Sequence, residues 1–390
     1  MRVLIATRHL GIVGGVETYL RALLPRLAAA GCDLGVYAEH GATDRGIAAE
    51  VPDAPVFSTV ADALRWTPDV VYSHGLADPA DEAELAARLP TVLFAHNYHG
   101  TCASGTKCHA RAGFAPCTRP LGPGCLAAYL PRGCGGRNPL TMLRLYRTER
   151  ARRRTLPCYR AVLVASRHMR AEYLRHGVPD PRVVPLFPPG IDPDPNPPAP
   201  RTATGRVLFV GRITRLKGLP HLIAALPAAA AALGRRLTLV VAGDGPDRGA
   251  AEAAARAAGV PAEFLGWVGA DRREAETRTA DVLAVPSVWP EPFGLVGVEA
   301  GCVGLPAVGY AAGGIPDWLE PGVTGESAPA DPPDPKQLAA ALVRALADDA
   351  RRHRLAVGAW EAARRLTPEA HLRELVPVFE AAAGLGKVVR

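Results

Sequence analysis

The chain has 390 residues, of which 48% are hydrophobic, 6% aromatic and 21% charged, with a formal net charge of +7. These values exclude a disordered chain, a collagen-like repeat and a single small domain, and they predict two domains, each with its own core. The charge is uneven: up to residue 190 there are 23 Lys and Arg against 15 Asp and Glu, and beyond it 22 against 23.

Taken in chain order, the first half alternates short apolar strands with helical stretches. Residues 3–6 read as a buried strand, 11–15 as a Gly-rich turn, and 16–30 as a helix closed by Gly31. Residues 34–38, 70–73, 91–95 and 162–165 read as further strands. This is the pattern of an α/β domain with a parallel, doubly wound sheet, in which ligands gather beyond the C-terminal ends of the strands. Gly14, His74, His96 and Ser166 fall on that rim. No leader-peptide pattern follows Met1, and the Ala-rich run 224–233 contains Pro227 and is too short for a membrane span, so a cytoplasmic location is expected.

The periodicity breaks between residues 97 and 137, an insertion rich in Gly, Pro and Cys. Residues 140–155 then read as a helix with a basic face made of Arg144, Arg147, Arg150, Arg152, Arg153 and Arg154. Between Gly100 and Arg182, 16 basic residues meet only Glu149, Glu172 and Asp180. Such a face is either solvated or touches an anionic acceptor or the headgroups of an anionic membrane at its periphery. No nucleic-acid motif accompanies the charge, so nucleic acid is not expected as a partner. The first domain is read as 1–188. A Pro-rich linker, 189–200, follows. A second doubly wound domain, 201–367, has strands at 207–210, 237–242, 262–265, 282–286 and 306–309. The final segment, 368–390, is expected as a helix that crosses back to the first domain, with a ligand cleft between the two domains.

Residues 285–300 carry the strongest chemical signal. A strand ends in a loop bearing Glu291, and Pro292 suits the first turn of a helix expected over residues 293–303. Bare amides at a helix start attract anions, and Glu299 is expected about two turns deeper on a similar face. A carboxylate beside such amides suits a ligand with both hydroxyls and phosphates.

Glu291-Pro-Phe-Gly-Leu-Val-Gly-Val-Glu299 resembles the Glu-x7-Glu motif of the retaining glycosyltransferases of family 4. Gly14-Gly15-Val16-Glu17, His96, the Gly-Arg-x4-Lys-Gly stretch from Gly211 to Gly218, Ala242-Gly243-Asp244-Gly245-Pro246 and Gly313-Gly314-Ile315-Pro316 follow the same family order. The resemblance implies a GT-B fold, two Rossmann-like domains facing across a cleft. It implies transfer of a sugar from a nucleoside-diphosphate sugar, with a UDP-sugar favoured over a GDP-sugar and the base left open, to an acceptor hydroxyl with retention and without a metal ion. The acceptor could be a small natural product, a glycan or a lipid-linked sugar. By this resemblance Arg212 and Lys217 hold the diphosphate, Glu291 the donor sugar with the Phe293-Gly294-Leu295-Val296 backbone beside it, and Glu299 the ribose. Gly14 and Gly15 approach the donor phosphate. Gly243, Asp244, Gly245 and Leu265 flank the nucleobase, and His96 lies near the reacting carbon. Asn97-Tyr98 follow His96 where the family often has a carboxylate, which suits departure and attack on one face with the leaving phosphate accepting the proton. The alternative is a GT-B isomerase of the sugar-nucleotide 2-epimerase kind, which shares the fold and the donor but uses no acceptor.

Five cysteines crowd the insertion: Cys102, Cys108, Cys117, Cys125 and Cys134. Small Gly- and Pro-rich loops lack a core, and a zinc ion held by four thiolates would order them. Cys102, Cys108, Cys117 and Cys125 are the expected ligands, with Cys134 or His109 as substitutes. The tight Cys-x2-Cys pair of common zinc folds is missing, and disulfides or buried thiols remain open.

Overall fold

The computed structural model describes residues 1–41 and 44–385. They divide into two compact units. The first holds Met1–Lys107, Thr118–Gly190 and the chain from Pro368 onward, and the second holds Cys108–Cys117 and Ile191–Thr367.

In chain order the first unit begins with β1 (Arg2–His9), α1 (Gly15–Ala29), β2 (Asp33–His40), β3 (Val56–Phe57), α2 (Val60–Arg65), β4 (Val70–Ser73), α3 (Pro79–Arg88) and β5 (Thr91–Ala95). The insertion then forms a two-stranded antiparallel ribbon, β6 (Cys108–His109) and β7 (Ala115–Pro116), and two helices, α4 (Gly124–Arg132) and α5 (Pro139–Thr155). β8 (Ala161–Val164), α6 (Arg167–Arg175) and β9 (Arg182–Val183) complete the series. The seven strands are ordered β3-β2-β1-β4-β5-β8-β9. All pair in parallel, with Leu4 opposite both Gly35 and Val71. The central residues of β1, β4 and β5, 3–6, 70–72 and 92–95, are unbroken apolar runs because helices cover both faces of a parallel sheet. Val3, Leu4, Ile5, Val71, Tyr72, Leu93 and Phe94 are fully buried, each aliphatic chain contributing about 1.5–3 kcal/mol of transfer energy.

The second unit runs β10 (Arg206–Val210), α7 (Leu219–Leu233), β11 (Thr238–Ala242), α8 (Arg248–Ala257), β12 (Ala262–Gly266), α9 (Ala270–Thr279), β13 (Val282–Val285), α10 (Val296–Cys302), β14 (Ala307–Tyr310), β15 (Gly325–Ala328), α11 (Pro335–Leu346) and α12 (Asp349–Ala363). Its six parallel strands are ordered β12-β11-β10-β13-β14-β15. The ribbon β6–β7 belongs with this unit, where the Arg215 guanidinium lies 5.8 Å over the Phe114 ring. The stretch Arg215–Leu233, which extends the Ala-rich run 224–233 toward the N-terminus, is by length and composition long and apolar enough to cross a membrane. Six of its residues, Leu219, Leu222, Ile223, Ala225, Leu226 and Ala229, are buried in the unit, so it is a core helix of the sheet.

The last helix, α13 (Pro368–Ala382), packs within the first unit. Phe379 meets Tyr72 with ring centroids 4.8 Å apart, and Leu375 and Val378 are buried beside it. Residues 386–390 of the expected terminal segment lie outside the described residues.

Helix starts follow local chemistry. Asn138 caps α5 by accepting from the amides of Leu140 and Thr141, with Pro139 as its first residue. Ser166, expected on the ligand rim, accepts from the Met169 amide and caps α6. On α5 the expected basic face divides. Arg144, Arg147, Arg150 and Arg154 are exposed, while Arg152 is buried and pairs with Glu149, and Arg153 donates to the Leu121 carbonyl. A buried guanidinium persists only with such partners. Arg152 also donates to the Leu76 carbonyl at 2.6 Å.

Candidate active site

In the second unit the site is built at the ends of β10 and β13. After β13 the chain turns through Ser287 and Trp289 to Glu291. The helix expected from residue 293 begins only at Val296. Glu291 instead bridges Gly313 in a parallel pairing, and the Gly314 amide donates to the Glu291 carbonyl at 2.7 Å. This explains the Gly313-Gly314 pair, since a Cβ on Gly313 would sit 2.3 Å from the Glu291 carbonyl oxygen and its φ is +65°. The bare amides of a first helical turn therefore do not surround Glu291.

Three donors converge on one oxygen of this carboxylate. Ser287 Oγ donates to Glu291 Oε1 at 2.6 Å, Lys217 Nζ at 2.7 Å and Trp289 Nε1 at 3.0 Å. Glu291 is 5% exposed. With Oε1 saturated, Oε2 is left to accept from a ligand hydroxyl. Lys217 is placed by the short turn Arg215–Lys217, which Gly218 ends at φ +71°. A Cβ on Gly218 would lie 1.8 Å from the Pro286 carbonyl oxygen, so only glycine lets the two loops meet. Arg212 is exposed, and its guanidinium has no side-chain partner among the described residues. A fork-shaped cation and an ammonium thus stand five residues apart at one strand end.

Glu299 lies in the first turn of α10 and is half-buried. Burial raises its pKa, and Arg273 acts in the opposite sense. Phe293 is held by the Trp318 indole, which donates to its carbonyl at 2.7 Å, and Gly294, Leu295 and Val296 continue the turn into α10. Asp244 is exposed; it accepts from the Gly245 amide at 2.7 Å and pairs with Arg248 at 3.1 Å, which together lower its pKa. Its carboxylate is committed to the turn after β11. Gly243, at φ +153°, packs against the Gly211 carbonyl, and Leu265 is half-buried on β12. Asp192 and Asp194, in the Pro-rich segment, have an Asp-x-Asp spacing. Asp194 there clamps Arg278 at 2.7 and 2.9 Å and is a structural tie of the Pro-rich segment.

In the first unit, Gly14 and Gly15 open α1. The Gly14 amide, expected to face a ligand, donates to Glu17 Oε2 at 2.9 Å in a capping arrangement. Gly15 has open space on its Cβ side. His96 and His74 end neighbouring strands and meet at 2.9 Å, Nε2 to Nδ1. Burial, then the nearby His371, pushes His96 down to about 3, so its imidazole is neutral. It can exchange one hydrogen bond with a hydroxyl and carries no charge to it.

His371 was not legible as a site residue. Its Nδ1 donates to the Pro185 carbonyl at 2.8 Å, and burial holds its pKa at about 4. Its Nε2 is then an acceptor, which fixes the rest of the chain of bonds. Tyr19 donates its hydroxyl to His371 at 2.7 Å, and Tyr72 donates to Tyr19 at 3.0 Å. Tyr19 also presents its ring edge to His96, centroids 5.4 Å apart. The C-terminal helix thereby fixes the aromatic wall behind His96. A cavity of about 240 Å³ opens beside it, lined by Arg8, His74, His96, Asn97, Glu149 and Arg152 among others.

The expected zinc centre is not found: among the described residues no three His, Cys, Asp or Glu side chains form a group that could hold a metal ion. The four cysteines are divided, Cys102 and Cys125 in the first unit, Cys108 and Cys117 on the ribbon in the second. Cys102 Sγ contacts Ser104 Oγ at 3.4 Å, and Cys125 Sγ donates to the Pro120 carbonyl at 3.8 Å.

Residues 13–195 match Glycosyltransferase Family 4, and residues 192–360 match Glycosyl transferases group 1. A D-inositol 3-phosphate glycosyltransferase of Xylanimonas cellulosilytica is 39% identical over 202 residues, 46% of this chain and 47% of the relative. A 2-deoxystreptamine glucosyltransferase of Streptomyces kanamyceticus is 36% identical over 184 residues, 43% of this chain and 46% of the relative. The matched part thus spans about half the length of these curated relatives. Among solved structures, Anabaena Alr3699/HepE in complex with UDP superposes with a TM-score of 0.68 at 19% identity, covering 98% of this chain and 100% of that one. The two parallel-sheet units are those of a GT-B fold, and with both halves matched in order the chain belongs to the family 4 type of GT-B glycosyltransferases.

Proposed function

We propose that the protein is a retaining glycosyltransferase that moves a sugar from a UDP-sugar to an acceptor hydroxyl without a divalent ion. The observation that carries this is the Glu291 carboxylate, gripped through Oε1 by Lys217, Ser287 and Trp289, with Arg212 unpaired nearby in sequence. Cation and carboxylate in contact suit a ligand with a diphosphate at one end and a sugar hydroxyl at the other. Arg212 and Lys217 would take the negative charge that builds on the leaving phosphate. Glu291 Oε2 would hold a sugar hydroxyl, and Glu299 the ribose.

The step breaks the bond between the anomeric carbon and the diphosphate and forms one from that carbon to the acceptor oxygen on the same face. The acceptor proton goes to the departing phosphate, and neutral His96 orients the hydroxyl. UDP in the HepE complex supports uracil as the base. The relatives named above are transferases, which supports transfer over isomerisation. We further place the protein in the cytoplasm, with the exposed Arg144, Arg147, Arg150 and Arg154 of α5 meeting an anionic membrane surface. The deciding experiment incubates the protein with UDP-glucose, UDP-galactose, UDP-N-acetylglucosamine and GDP-mannose and follows free nucleoside diphosphate. Release of UDP with retained anomeric configuration supports the reading. Conversion of the sugar nucleotide without release would replace it by the isomerase.

A further inference from the structure

The ribbon β6–β7 is the part of the insertion that groups with the second unit, and its root and its tip are held by different partners. At the root, Lys107 immediately precedes β6 and is buried. Its ammonium pairs with the buried Glu172 carboxylate and donates to the Arg119 carbonyl at 2.7 Å. One side chain thus ties the chain that enters the ribbon to the chain that leaves it. At the tip, the Arg215 guanidinium lies 5.8 Å from the centroid of the Phe114 ring, and a Cβ on Gly113 would lie 3.6 Å from the Pro332 Cβ. Among the described residues, the non-glycine positions with positive φ are Thr67 at +53°, Lys107 at +49° and Phe114 at +64°. Two of these three are the root and the tip of one ribbon. Such backbone is disfavoured for an aromatic residue and persists where its surroundings over-determine it. Glycine would take this conformation freely, so the contact made by the Phe114 ring offsets the strain.

The group that Phe114 holds adjoins the candidate site. Arg215 opens the short turn Arg215–Lys217. Its amide donates to Asp247 at 2.7 Å, and its carbonyl accepts from the Gly218 amide at 3.1 Å. The Val288 amide donates to the Leu216 carbonyl at 2.9 Å, and Lys217 reaches Glu291. The turn is therefore held on one side by Val288 and Glu291 and on the other by Asp247 and Phe114. We propose that the ribbon positions the Lys217 ammonium, with Phe114 acting through Arg215 as a positioning residue for the donor phosphates. This rests on the reading that Lys217 meets the diphosphate. Lys107 roots the ribbon in the first unit, so a segment inserted in the first half of the chain completes the phosphate turn of the second.

The test is isothermal titration of the full chain with UDP, alongside the melting temperature of each variant. Phe114→Ala weakens UDP about two- to fivefold, the worth of an exposed cation–π contact. Arg215→Ala weakens it by a similar factor, and the double variant by no more than either alone, because the two groups act through one contact. Phe114→Tyr keeps the ring and restores the affinity. Phe114→Gly removes both the backbone strain and the ring: it melts no lower than Phe114→Ala and still binds UDP weakly. In a Lys217→Ala background Phe114→Ala changes nothing further, since the group it positions is gone. Unchanged UDP affinity in Phe114→Ala overturns the proposal. So does recovery of UDP affinity in Phe114→Gly, which would make the residue merely structural, or a loss that persists in full without Lys217. Failure of the unmutated chain to bind UDP, or full UDP affinity in Lys217→Ala alone, would strike at the diphosphate reading itself and take the proposal with it.

Discussion

Lys217 and Glu291 make a prediction with a sign as well as a size. Their contact is 2.7 Å, with side-chain exposures of 35% and 6%. It is stronger than a surface pair, worth about 0–1 kcal/mol, because one partner is buried. On the proposed reading, in which Lys217 meets the donor diphosphate, Glu291 competes with phosphate for the Lys217 ammonium. Lys217→Ala removes the proposed phosphate donor and should weaken UDP binding by about 1.5–3 kcal/mol, roughly 10- to 150-fold. Glu291→Gln removes the competitor. UDP binding should then be unchanged or up to about 1 kcal/mol tighter. The preference for UDP-sugar over UDP should meanwhile disappear, since Oε2 no longer offers a charged acceptor. In the double variant the two effects should not add, because contacting residues couple by about 0.5–3 kcal/mol. Isothermal titration with UDP and with a UDP-sugar on the four proteins measures all of this without knowing the acceptor. If Glu291→Gln weakens UDP as much as Lys217→Ala does, the carboxylate is a scaffold for the phosphate site and the assignment to the sugar fails.

Further expectations follow from the same geometry. Glu299→Ala should raise the donor KM with little change in kcat, as uniform binding is lost; a fall in kcat alone would move Glu299 to the reacting sugar. Gly218→Ala should destabilise the second unit by about 1–3 kcal/mol and reduce UDP binding with it, because neither φ +71° nor a Cβ 1.8 Å from the Pro286 oxygen is tolerable; a normal melting temperature would contradict the loop contact. His96, His176 and His371 have native pKa values lowered to about 3, 4 and 4, chiefly by burial. The unfolded chain binds protons first as pH falls below about 6.5, so stability should drop from there, by up to roughly 1.4 kcal/mol per pH unit for each histidine, and level only near pH 3–4. A melting temperature constant between pH 7 and 5 would refute the neutral assignments. If α5 meets an anionic bilayer, binding to phosphatidylglycerol vesicles should fall steeply between about 0.05 and 0.5 M salt, and equal binding to neutral vesicles would remove that surface.

Residue order alone was enough for the strands, and it singled out the second-unit motifs. β1, β4, β5, β10, β11 and β13 are short apolar runs closed by Gly, Pro or His, and burial on both sheet faces demands such runs whatever the neighbours are. Arg212, Lys217 and Glu291 were placed by patterns whose spacing is local. What lay beyond the sequence depends on partners far along the chain. Pro292 promised a helix start, but a bridge to Gly313 holds Glu291 extended, and no local propensity announces a pairing across that distance. Arg152 looked like one more residue of a basic face until Glu149 and the Leu76 carbonyl drew it inward. The cysteine spacing suggested one knot, yet the ribbon carrying Cys108 and Cys117 groups with the second unit. Tyr19 and His371, 352 residues apart, share a hydrogen bond because α13 returns to the first unit. Sequence fixes which groups are apolar, charged or free to take unusual backbone angles. Which of two buried donors finds an acceptor is decided only when the whole chain has closed, because desolvation penalises every unpaired polar group and the fold selects the pairs that relieve it.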